Sequence, residues 1–135
     1  MNTKTVIRVR DVMKTDFDLV DGMDTVADVL RKSEHPESKC FIVDTRHEND
    51  EYGLVLLSDI AKRVLARNKA PERVNIYEIM TKPVVSVEPT MDIRYCARLF
   101  ENLGLGRAPV IENGKVMGIV GYTDIVLHGV RDRLL

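Results

Sequence analysis

Cysteine is scarce in this chain, long apolar runs are missing, and neither sign of charge is in excess. Cys40 and Cys96, the only two cysteines, sit inside apolar patterns without metal-ligand spacing. That excludes a disulfide framework and a thiolate metal site, and leaves two reduced core thiols. No apolar run exceeds a few residues, far short of a bilayer span. No charged-then-apolar leader precedes Lys4 and Arg8, so the expectation is a cytoplasmic protein with no membrane partner. The 20 basic and 21 acidic residues are scattered and leave a formal charge of −1, so no field draws the chain to nucleic acid. His35, His47 and His128 stand apart from one another and from any carboxylate cluster, and read as loop or surface residues. There is no nucleophile motif, no glycine-rich phosphate cradle and no paired histidine ligands. An enzyme is therefore not expected, and no metal or required cofactor is implied.

What is present is an internal repeat. At 135 residues the chain is long enough for one compact domain or two small intertwined halves. Val9-Arg10-Asp11-Val12-Met13 returns as Ile76-Tyr77-Glu78-Ile79-Met80 at a spacing of 67 residues, and Leu19-Val20-Asp21-Gly22 returns as Ser86-Val87-Glu88-Pro89. Lys39 to Val43 meets Arg107 to Ile111, and Gly53-Leu54-Val55-Leu56-Leu57-Ser58-Asp59-Ile60 meets Gly118-Ile119-Val120-Gly121-Tyr122-Thr123-Asp124-Ile125. The expected layout is an N-terminal segment over 1–8, a first repeat over 9–67, a linker over 68–73, a second repeat over 74–131 and a C-terminal end over 132–135.

Each repeat reads strand, helix, strand, strand, helix. Thr90 or Asp92 can open the second repeat's first helix, whose Ile93, Cys96, Ala97 and Phe100 fall on one face. Asp24 or Thr25 caps the weaker counterpart, with Val26, Val29 and Leu30 on the stripe. Asn113-Gly114 supplies a tight hairpin turn, where the first repeat has the charged loop Asp44 to Glu51. That loop reads either as a solvated tip or as a place for partner contacts. The closing helices carry Ile60, Ala61, Val64 and Leu65, or Ile125, Val126, Gly129 and Val130, on one face. The fold class is mixed α/β, an α+β arrangement.

The two glycine-to-aspartate stretches each run a buried strand into a helix N-terminus. Free backbone N–H groups and the helix dipole converge there, which suits a phosphate, and the adjacent carboxylate can accept from a vicinal diol. Ser58-Asp59 and Thr123-Asp124 also serve as helix caps, a role compatible with ligand binding.

The ordered set, met twice, resembles the cystathionine β-synthase (CBS) domain family arranged as a tandem pair, or Bateman module, over roughly residues 8 to 131. The resemblance rests on Asp11-Val12-Met13, Glu78-Ile79-Met80, Ser86-Val87-Glu88-Pro89, Ala108-Pro109-Val110-Ile111 and the two glycine-to-aspartate stretches. It implies two β-α-β-β-α units with pseudo-twofold symmetry and association into a homodimer. It also implies a regulatory module binding AMP, ADP, ATP or S-adenosylmethionine in the cleft between the repeats. Its output would pass through dimer conformation to a separate effector protein.

Carried over residue by residue, the resemblance gives Asp124 and Asp59 as ribose carboxylates and Thr123 and Ser58 as phosphate-reaching hydroxyls. It gives Arg107 and Lys39 as basic phosphate contacts, Ala108 with Pro109 against the base, and Ser86 on the strand edging the adenine. Members that bind nucleotides commonly carry a hydroxyl three residues before the aspartate. Leu56 and Gly121 stand there instead, which removes one phosphate ligand and weakens phosphate binding by about tenfold to a hundredfold. Leu56 and Leu19 add bulk to the first site, so the Asp124 site ranks above the Asp59 site. The same departures favour an alternative reading, a ligand-free scaffold for oligomerisation or partner docking.

Overall fold

The computed structural model describes residues 5–135; the leader reading, which turns on Lys4, falls outside them. In chain order the elements are α1 (Val9–Val12), β1 (Leu19–Val20), α2 (Val26–Lys32), β2 (Cys40–Val43), β3 (Gly53–Leu56) and α3 (Leu57–Arg63). They continue with α4 (Ile93–Leu103), β4 (Arg107–Glu112), β5 (Lys115–Gly121), a π-helix over Asp124–Arg131 and α5 (Asp132–Leu134).

Two compact units form, and they cut across the sequence repeats. One is Phe17–Val84; the other joins the residues up to Asp16 to Val85–Leu135. The motif that opens each repeat in sequence therefore folds as a strap on the other repeat's elements. Apolar residues decide this. Ile7, Val9 and Val12 share a core with Val87, Ile93, Cys96, Phe100, Val110 and Val120, while Ile76 and Ile79 share one with Val26, Phe41, Val43, Val55 and Ile60. Burying each such side chain stabilises its unit by about 1.5–3 kcal/mol.

In Phe17–Val84 the sheet order is β1-β2-β3, with Leu19 and Val20 parallel to Ile42 and Val43, and β2 antiparallel to β3. Thr25, rather than Asp24, caps α2: its hydroxyl accepts from Asp28 N–H at 3.1 Å and the Asp28 carboxylate accepts in return from Thr25 N–H. That reciprocal box holds Asp28 below the usual carboxylate range. Leu30, expected on the buried stripe, is exposed, and Ala27 takes the inner position of this short helix. Ile60 in α3 and Val64 at its end are buried, but Ala61 and Leu65 are exposed; the helix ends at Arg63, and a tighter 3₁₀ turn over Leu65–Arg67 swings Leu65 outward.

In the other unit β4 and β5 form a hairpin, and the expected first strand reduces to a parallel bridge between Val87 and Val110. Asn113 and Gly114 turn the hairpin with φ of 52° and 75°, the left-handed conformation their residue types favour. Asp92, not Thr90, caps α4 by accepting from Arg94 N–H at 2.8 Å, and Ile93, Cys96 and Phe100 are buried as the spacing requires. Burial pushes the Cys96 thiol up to about 11. The closing helix differs from expectation: from Asp124 it widens into a π-helix that buries Ile125 and Gly129 and leaves Val126 outside. Its Gly129 lies so close to α4 that a Cβ would stand 2.7 Å from Ile93 Cδ1. No helix among the described residues is long and apolar enough to cross a membrane.

Candidate ligand site

The two straps make one geometry twice. In the first, Lys14 N–H donates to Ile119 O at 2.8 Å and Ile119 N–H to Lys14 O at 2.9 Å. In the second, Leu54 N–H donates to Thr81 O at 3.0 Å and Thr81 N–H to Leu54 O at 2.9 Å. Glycine makes each approach possible. A Cβ on Gly118 would overlap the Lys14 carbonyl oxygen, and one on Gly53 would stand 3.0 Å from Met80 Sδ. Met13 and Met80 pack against the cores at these crossings, where a flexible thioether fills the space beside the straps.

Five residues beyond each crossing stands the predicted ribose carboxylate. Asp59 Oδ2 accepts from Leu56 N–H at 2.9 Å, and Asp124 Oδ2 from Gly121 N–H at 2.8 Å. Both carboxylates thus satisfy an orphan donor at a helix start, while Ser58 and Thr123 beside them are exposed. The basic residues lie where the repeat places them. Arg107 pairs across the hairpin with Gly121, and the Lys39 carbonyl accepts from Leu57 N–H at 3.1 Å. Lys39 itself takes a left-handed φ of 61° and is exposed. Ala108 and Pro109 are buried, so their side chains are packed within the unit, and Ser86 is exposed beside the Val87 bridge. Asp124, Thr123, Arg107, Ala108, Pro109 and Ser86 belong to one unit; Asp59, Ser58 and Lys39 belong to the other.

The two carboxylates differ in one partner. Lys14 Nζ donates to Asp124 Oδ1 at 2.6 Å, and the Asp124 side chain is only 2% exposed. Thr81 holds the matching place in the repeat, bridged to Leu54, and Asp59 is half-buried. Lys14 is the residue that sequence reasoning missed. It follows Met13 directly, and continuing the repeat by one residue aligns it with Thr81; the signal was a cation at the end of a shared motif.

Two cavities among the described residues lie elsewhere. One of about 610 Å³ in Phe17–Val84 is lined by Asp18, Asp21, Asp24 and Asp44 with Lys32 and Arg46, at the Val43 end of β2, whereas Lys39, Ser58 and Asp59 gather at its Cys40 end. Four carboxylates against two cations disfavour a polyphosphate there. Another of about 540 Å³ in the second unit is bordered by Lys14, His128, Asp132 and Arg133 and does not include Asp124.

A family model described as CBS domain matches residues 76–130. A solved hexameric CBS-CP12 protein from bloom-forming cyanobacteria is 35% identical, with a TM-score of 0.88 over 93% of this chain and 69% of its own. The CBS domain pair of protein MJ0100, solved in complex with 5′-methylthioadenosine and S-adenosyl-L-methionine, is 22% identical with a TM-score of 0.75, covering 90% of this chain and 94% of that one. An uncharacterized protein of Methanopyrus kandleri is 29% identical over 122 residues, 89% of this chain. The chain spans 61% of that protein's length.

Proposed function

Since the chain belongs to the CBS domain family, whose members are generally regulatory, we propose that it is a ligand-sensing module for an adenosine-containing molecule such as AMP, ADP, ATP or S-adenosylmethionine. Asp124 accepts from the ribose diol, Thr123 and Arg107 meet the anionic group, and Ser86 borders the base, with Ala108 and Pro109 in the buried strand beside it. Asp59, Ser58 and Lys39 form the weaker counterpart. One observation carries this reading: the same strand-to-helix junction occurs twice, each with an acid five residues past a strap crossing and a basic residue at the neighbouring strand start. The adenosine moiety of both ligands held by the MJ0100 pair supports the ligand class. Signalling follows from differential affinity of the ligand for two arrangements of an oligomer. We assign that oligomer as a homodimer joined through exposed apolar helix residues such as Tyr95, Leu103 and Val126, passing its output to a separate effector.

A thermal-shift panel of AMP, ADP, ATP and S-adenosylmethionine tests the proposal. Ligand at a hundredfold over Kd adds about 2.7 kcal/mol, which raises Tm by about 5–10 °C in a domain of this size. Asp124→Asn removes that shift for the ligand that gives it. No shift with any of the four refutes the sensor. A second reading, a ligand-free docking scaffold, is favoured by the pairing of Asp124 with Lys14, and an oligomer whose mass and stability ignore all four ligands supports it.

A further inference from the structure

Asp124 is not waiting for a diol. One carboxylate oxygen takes the Gly121 amide and the other takes Lys14 at 2.6 Å, and the group is almost wholly buried. A ribose can reach it only by expelling the ammonium. The Lys14 backbone stays fixed meanwhile, because both its polar groups bond to Ile119 and Gly118 leaves no slack beneath them. Its side chain has somewhere to go: it is 31% exposed and borders the cavity of about 540 Å³. The unit built on Asp59 makes the same crossing with Thr81, a residue that carries no charge.

We propose that Lys14 is a latch that selects the ligand of the Asp124 site, admitting a diol that brings its own anionic group and rejecting a neutral one. The proposal rests on the adenosine-site reading above. A neutral nucleoside brings no anionic partner for the ammonium that it displaces, and the Asp132 carboxylate at the cavity is already held by Arg131 and His128. A phosphorylated one gives the ammonium a new partner beside the bound diol, so the ion pair is exchanged rather than lost. That exchange adds to the preference for an anionic group that Thr123 and Arg107 supply. The Asp59 site, without a latch, discriminates less.

Isothermal titration calorimetry with adenosine and AMP tests the latch, using Asp59→Asn protein so that one site reports. With Lys14 present AMP binds tighter than adenosine by about tenfold to a hundredfold, the span of one hydrogen bond to a charged group. Lys14→Met tightens adenosine by about tenfold while AMP gains less or weakens, so the preference narrows. If adenosine and AMP bind the Lys14 protein equally, or Lys14→Met moves both alike or neither, the latch is wrong while the site stands. If neither the Lys14 protein nor Lys14→Met binds either ligand, the adenosine-site reading fails and takes the latch with it. Should Lys14→Met not fold, Thr81→Lys in protein with an intact Asp59 and an Asp124→Asn change carries the test: it must impose the AMP preference on the Asp59 site, and no change in preference there overturns the proposal.

Discussion

Replacing Gly118 by alanine places a methyl group on the backbone carbonyl of Lys14, with Met13 Sδ at 3.1 Å on the same side. The sulfur can swing away, but the carbonyl belongs to a strap bonded through both its polar groups to Ile119. Relief therefore requires one backbone to move off the other. Overpacking of this kind costs about 1–3 kcal/mol, and weakening the two strap hydrogen bonds adds about 1 kcal/mol. The sum, about 2–4 kcal/mol, corresponds to a fall in Tm of about 8–16 °C at about 4 °C per kcal/mol. Far-UV circular dichroism melts suit a chain without tryptophan. Gly53→Ala is the graded control: its Cβ would meet Met80 Sδ at 3.0 Å, the Val43 Cβ at 3.3 Å and Thr81 O at 3.4 Å, so it costs less. Gly106→Ala meets nothing within 4 Å and leaves Tm unchanged. A Gly118→Ala protein melting within about 2 °C of wild type, or no further down than Gly53→Ala, refutes the account of the straps as fixed crossings.

Other expectations follow from the same contacts. Phe100 is fully buried and meets Tyr122 edge-on at 5.4 Å; Phe100→Ala lowers stability by about 3–5 kcal/mol in denaturant titrations and Phe100→Leu by less than half of that. Lys82 Nζ at 2.7 Å, with the Arg46 amide, holds Asp50 well below the usual carboxylate range, and Arg131, then His128, does the same for Asp132. Because these folded-state values are depressed, the stabilisation is complete above the unfolded value near 4 and drains away as pH falls below it; melts from about pH 5 to pH 2 show the loss, and Asp50→Asn makes the slope shallower. An unchanged slope removes Asp50 from the account. Cys40 and Cys96 are buried, with the Cys96 thiol pushed up to about 11, so a disulfide-exchange reagent titrates no thiol in native protein and two after unfolding.

Much of the architecture was legible because local chemistry wrote it. The caps of α2 and α4 narrow to two nearby candidates each, of which Thr25 and Asp92 serve, the Asn113-Gly114 turn is decided within a few residues, and the apolar stripe of α4 follows from its 3.6-residue period. Periodicity says that a face is covered but not by what. It could not show that Val9 and Val12 are covered by Ile93 and Phe100 rather than by their own repeat. The same limit hid the site's main feature: Lys14 meets a carboxylate 110 residues further on, through a register set by strap pairing. Leu65 and Val126 were misplaced because the helices that carry them change pitch, to a 3₁₀ turn in one case and a π-helix in the other.

The exchange of straps sets an order of assembly during synthesis. Phe17–Val84 has its sheet, both helices and the Ile76–Met80 segment in hand once Val84 is made, whereas Ile7, Val9 and Val12 emerge early and must stay uncovered until Ile93, Phe100 and Val120 follow. The half that carries Asp124 therefore matures second. Lys14 finds its carboxylate only after the chain has looped back to a segment made long before.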